Sequence, residues 1–111
     1  MERKFVKVAS IHDIPPGQGK MVMAHGKPMA LFNVEGDFYA INQICPHMGG
    51  PLSEGNLNGK VIECPWHRWT YYVDTGLPDH EGGHFVASYE VKVEGEDIFI
   101  GWLKKTELKN Y

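Results

Sequence analysis

The sequence predicts an all-β fold, an antiparallel sandwich or small barrel, on three observations. Its apolar residues fall in short runs of strand length, glycine turns separate those runs, and no stretch keeps a 3.6-residue period. The length of 111 residues suits one modest core, so a single domain over 1–111 is expected.

Residues 5–9 open as a strand of Phe, Val and Ala around a lysine. Residues 13–19, with two prolines and two glycines, read as a loop, and helix is not expected in this early part. Strands are expected at 21–24, 28–34 and 38–41, divided by turns at His25-Gly26 and Glu35-Gly36-Asp37. Residues 45–54 depart from strand patterning, with Pro46, Gly49, Gly50 and Pro51 setting an irregular path on which glycine allows close backbone approach. Asn58-Gly59 predicts a hairpin into a strand at 60–63 that leads directly to Cys64. Residues 68–73 are aromatic and β-branched and read as its partner strand, turned by Asp74-Thr75-Gly76. A loop over 77–83 precedes a final long hairpin, 85–93 with 98–100, turned at 94–97.

The net charge of −3 and pI near 6.0 argue against a nucleic-acid surface; Lys104, Lys105 and Lys109 read as a solvated tail. Residues 1–20 lack the continuous apolar core of a signal peptide or anchor. The longest uncharged apolar stretch, 98–103, falls short of the roughly 18 residues of a membrane span. The chain has only two cysteines, and both are candidate metal ligands. No disulfide framework is therefore expected, and a reducing cytoplasm is the expected setting.

Those cysteines lie in two segments that carry the candidate chemistry, Cys45-Pro46-His47 and Cys64-Pro65-Trp66-His67, with sixteen residues between His47 and Cys64. Each segment supplies one sulfur and one imidazole, and together they read as one metal site. A zinc finger pairs Cys with Cys on one turn and His with His on a helix, which is a different plan. On ligand type alone a structural zinc stays open, as does chance placement in turns.

At these residues the chain resembles the Rieske ferredoxin family. Cys45-Pro-His47-Met-Gly-Gly-Pro-Leu52 is similar to its first ligand loop, and Cys64-Pro-Trp-His67 to its second. Trp69-Thr-Tyr71 and Asp74-Thr-Gly76 resemble the family's segment just after the second loop, and a weaker likeness runs from Phe5 to Gly101. The resemblance implies one [2Fe–2S] cluster of the type in which two His replace two Cys on one iron. Cys45 and Cys64 would hold the buried iron, and His47 and His67 the exposed one. It also implies the same β fold, with a cluster-binding part over about residues 43–76 formed by the two ligand loops.

Neighbouring positions carry further implications of the resemblance. High-potential members place a Ser two residues, and a Tyr four residues, after the second His; here those positions are Trp69 and Tyr71. Respiratory members have an additional Cys beside each ligand loop, where this chain has Met48 and Trp66, so the disulfide between the loops is absent. These differences imply a potential in the lower half of the Rieske range of about −150 to +300 mV. Arg68 replaces a frequent Gly and Tyr72 a common Asp. Met48, Trp66 and Arg68 are the residues expected at the cover or docking surface of the cluster, while Trp102 reads as core or edge packing. His80 and His84 read as surface-loop histidines rather than a second metal tract. His12 and His25, beside turns, are expected to be exposed.

The function implied is a soluble one-electron carrier between a reductase and a terminal enzyme, in the first place a multicomponent oxygenase. Its partners would be redox proteins, with no nucleic acid, membrane anchor or small-molecule substrate of its own. The length leaves no room for the catalytic iron domain of an oxygenase, Ser53 and Ser88 have no adjacent His or acid, and no glycine-rich phosphate loop opens a helix. The chain is therefore expected to be no enzyme by itself. Alternatives are a companion like the nitrite reductase small subunit, a redox sensor, and a structural zinc module. Such companions often lack the ligand set, whereas all four residues are present here.

Overall fold

The structure is a computed structural model that describes residues 5–45, 49–66, 68–79 and 85–103. Nine strands and two short 3₁₀ turns form among them: β1 Val6–Ser10, a turn Ile11–Asp13, β2 Gln18–Ala24, β3 Lys27–Val34, β4 Asp37–Asn42, a turn Leu52–Glu54, β5 Asn56–Asn58, β6 Val61–Glu63, β7 Thr70–Tyr72, β8 Ser88–Glu94 and β9 Asp97–Leu103. Every pairing is antiparallel. A six-stranded sheet runs β1-β9-β8-β4-β3-β2, its two end strands approaching each other, and a three-stranded sheet runs β5-β6-β7. The expected all-β antiparallel architecture is what forms, as a small sheet beside a larger one.

β3 links the two halves of the core because it is buried on both faces from Met29 to Val34. Successive strand residues point to opposite sides. Met29 and Leu31 join Val22, Ala40, Ile98 and Ile100 on the face enclosed by the six-stranded sheet. Ala30, Phe32 and Val34 join Ile41, Leu52, Ile62, Tyr71, Val73 and both cysteines between that sheet and the small one. The two candidate sulfur ligands therefore sit in the second core, where water is excluded before any metal is considered.

The hairpin turns match their glycine signals. His25-Gly26 and Glu35-Gly36 place both central residues at positive φ, between 52° and 96°, as two-residue turns with matching twist require. The third turn is displaced by one residue: Asn58 pairs with Val61, so Gly59-Lys60 makes the turn. Other expectations need correction. Residues 18 and 19 are strand rather than loop, because Gly19 leaves room for the Phe32 ring of the paired β3; a Cβ there would lie 2.6 Å from it. The early segment also contains a 3₁₀ turn, stabilised by Ser10: its Oγ accepts from the His12 N–H and its own N–H donates to Asp13 Oδ2. Residues 68–69 and 73 lie outside β7, and residues 85–87 lie outside β8. The latter cross between sheets, with the Val86 N–H bonded to the Gly76 carbonyl and the Ala87 carbonyl to the Asn42 N–H.

Gly76 permits that crossing. It stands at φ 79°, and a Cβ would run into the Val86 carbonyl oxygen. His12 is exposed and paired with Glu96 at 3.3 Å, as its turn position predicts. His25 is instead partly buried, its Nε2 3.2 Å from the Ile100 carbonyl and its ring edge-on to Trp102. Trp102 is half exposed and packs at this edge.

Candidate metal centre

Two loops of equal length face each other beside the small sheet. The first, 45–50, is closed by an antiparallel bridge between Ile44 and Pro51, and the second, 64–69, by the β6–β7 pair Glu63 and Thr70. In both, the N–H of the leading Cys donates to the carbonyl five residues on: Cys45 to Gly50 at 2.9 Å, Cys64 to Trp69 at 2.7 Å. In both, the fifth residue is left-handed, Gly49 at φ 80° and Arg68 at φ 60°. The same frame thus carries Cys-Pro at its start twice, although its histidines stand at different positions.

Both thiols are buried and free of disulfide. They also contact each other: burial pushes the Cys64 thiol up to about 11, the neighbouring Cys45 adds to the rise, and a hydrogen bond from the Trp66 backbone opposes it. Tyr71 is fully buried and its hydroxyl lies 3.5 Å from Cys45 Sγ. Burial raises the phenol well above its usual range, with Cys45 the next cause.

A bare glycine face completes the contact between the loops. A Cβ on Gly50 would lie 2.7 Å from Cys64 Sγ and 3.2 Å from the Cβ of Trp66. Among the described residues Gly50 faces Trp66 across the loops; Met48, placed opposite by the resemblance, lies outside the described residues. Trp66 is 49% exposed and covers this seam, whereas Trp69 is half-buried against the core and offers its carbonyl to Cys64. Arg68 is exposed at the turn. His47, His67, His80, His84, Lys104, Lys105 and Lys109 lie outside the described residues.

Two adjacent buried thiols fit a metal site. As thiolates they would repel in a medium that solvates neither, and a bound metal would supply the opposing charge. The match to the Rieske [2Fe-2S] domain covers residues 4–90.

The chain belongs to the Rieske [2Fe-2S] family.

Its relatives include the ferredoxin component of a naphthalene 1,2-dioxygenase system of Pseudomonas aeruginosa, 35% identical over 90% of this chain and 97% of the relative. The ferredoxin component of the naphthalene 1,2-dioxygenase/salicylate 5-hydroxylase systems of Ralstonia sp. is 40% identical over the same shares. Among solved structures, the complex of reduced oxygenase and oxidised ferredoxin in carbazole 1,9a-dioxygenase contains a chain matching with TM-score 0.83 and 35% identity, over 93% of this chain and 97% of that one. The cofactor of the Rieske domain is one [2Fe–2S] cluster.

Two contributors carry no distinctive sequence signal. Gln43 is buried; its carbonyl and Oε1 accept from the N–H groups of Leu52 and Ser53, fixing the exit of the first loop. Asp79 fixes the exit of the second: its N–H donates to the Thr70 carbonyl, and its Oδ1 accepts from the Tyr72 hydroxyl at 2.7 Å.

Proposed function

We propose that this chain is the ferredoxin of a multicomponent oxygenase, taking single electrons from a reductase and delivering them to the terminal oxygenase. The observation that carries the reading is the pair of buried thiols presented by two matched loops. In this reading Cys45 and Cys64 hold the inner iron, and His47 and His67 hold the outer one. When bound, the cluster supplies a one-electron couple. Tyr71 donates its hydroxyl hydrogen bond to Cys45 Sγ and draws negative charge from that sulfur, while Gly50 and Trp66 keep the loops together without a disulfide.

The near full-length match to dioxygenase ferredoxin components favours the carrier over other roles. The nitrite reductase small subunit from Mycobacterium tuberculosis, 19% identical at TM-score 0.85, shares the fold. The presence of both Cys and both His in this sequence favours a redox role over that of a ligand-free companion. We further read residues 1–111 as one domain working in the cytoplasm, an electron-transfer component and not itself an enzyme. No helix among the described residues is long and apolar enough to cross a membrane.

The test is reconstitution. Added to the reductase and oxygenase of a naphthalene 1,2-dioxygenase system stripped of its own ferredoxin, the purified chain restores product formation and produces none by itself. A chain that accepts no electron from dithionite would contradict the proposal.

A further inference from the structure

Arg68 combines two features that the frame of the loop does not explain. Its left-handed backbone, φ 60°, is one that glycine adopts freely and other residues resist, and the equivalent position in the first loop is Gly49. Closure of the loop demands the backbone conformation but not the side chain. The guanidinium is also uncommitted: it makes no ion pair among the described residues, whereas Lys7, Lys60 and Lys92 pair with Asp97, Asp74 and Glu94. The carboxylates nearest along the chain are engaged elsewhere, Glu63 with Asn56 and Asp74 with Lys60. An exposed cation is thus held at a strained position directly after a proposed ligand, His67.

We propose that Arg68 is a docking residue, whose exposed guanidinium meets an anionic surface around the redox group of the electron partner. The inference rests on the carrier reading and adds the chemistry of the partner. The surface it fits is one of acidic side chains, because a planar cation with free donors pairs best with carboxylates. Contact there brings the partner to the cluster end of the molecule, where the transfer path is short.

Small charged oxidants test this without an identified partner. Each reduced centre gives one electron to one hexacyanoferrate(III), forming hexacyanoferrate(II), or to one cationic tris(phenanthroline)cobalt(III), forming the cobalt(II) complex. Stopped-flow rates for both are compared at low salt in wild type, Arg68→Gly, Arg68→Lys and Lys7→Gln; the last removes the same charge from a distant pair. Arg68→Gly lowers the anionic rate relative to the cationic one about three- to five-fold, the effect of one screened charge on a multiply charged ion. Arg68→Lys restores most of the ratio, Lys7→Gln leaves it unchanged, and the difference fades in high salt. Arg68→Gly also raises the unfolding midpoint, a readout independent of electron transfer. An unchanged ratio in Arg68→Gly, or an equal fall in Lys7→Gln, overturns the docking role. Absence of the reducible cluster spectrum in wild type overturns the carrier reading instead.

Discussion

The two cysteine loops are the same frame assembled from different residues. Each spans six residues between an antiparallel pair, each is closed by a bond from the leading cysteine N–H, and each turns through a left-handed fifth residue. They differ in what fills that turn, glycine in one and arginine in the other, and in what fixes the exit, the neutral Gln43 or the ionisable Asp79. The backbone path is therefore set by hydrogen-bond closure, and side chains within the frame are free to serve other ends. The loops are also not independent, since the bare face of Gly50 abuts the sulfur of Cys64.

The largest effect comes from removing either sulfur. Cys45→Ser and Cys64→Ser should each lose the whole cluster, although each leaves one loop intact, because metal binding energy couples both loops to folding. Iron analysis checks this, and full iron in both variants would show that the loops do not share a centre.

The left-handed turns should respond with opposite sign. Among the described residues a Cβ on Gly49 meets only Ile44 at 4.0 Å, so the cost of Gly49→Ala is backbone strain, about 1–2 kcal/mol. Arg68→Gly should gain roughly 0.5–1 kcal/mol by relieving the same strain, the entropy of the unfolded glycine taking back a part. Urea unfolding of the iron-free proteins measures both, and equal signs would break the equivalence of the loops.

Much of the fold and the site is legible in the sequence, for reasons tied to particular residues. Cys45, His47, Cys64 and His67 stand out as candidate ligands because few sites combine two Cys and two His in this way, and His25-Gly26 and Glu35-Gly36 mark hairpins through their backbone preference. The equal loop lengths are hidden: they depend on backbone bonds from Cys45 to Gly50 and from Cys64 to Trp69, which leave no trace in residue type. Gly50 has the same look as any flexible loop glycine, and only its contact with Trp66 and Cys64 gives it a role. Asp79 has no local signal because its partners, Thr70 and Tyr72, lie on a strand it reaches only after the turn at Gly76. Gly19 reads as a breaker because its use, admitting Phe32, is a tertiary contact.

A smaller effect concerns the potential. Tyr71→Phe removes the hydroxyl that lies 3.5 Å from Cys45 Sγ. A single hydrogen bond to sulfur is worth about 20–65 mV from typical net bond energies, so the variant should lie lower by that amount. Voltammetry near neutral pH checks it; wild type should lie in the lower half of the Rieske range of about −150 to +300 mV, and an equal value in both proteins would show that the contact carries no bond.

The smallest effect separates the loop exits by pH. The bond to Asp79 and its charge raise the Tyr72 phenol above its ordinary value of 10.0. A group whose pKa is raised on folding contributes fully below its unfolded value, and that contribution is lost as pH climbs through the folded one. The stability difference between wild type and Tyr72→Phe should therefore be constant up to about pH 9 and shrink above about pH 10. Gln43 has no proton to lose, so a Gln43→Leu variant should keep a constant difference over the same interval.

The central claim is that both loops hold one cluster through Cys45, His47, Cys64 and His67, and the most direct measurement is the iron and acid-labile sulfide content of anaerobically purified protein, with EPR after reduction. About two irons and two sulfides per chain, with an EPR signal that appears on reduction, are predicted. One zinc without sulfide would contradict the claim, as would a cluster with the spectrum of four-cysteine ligation.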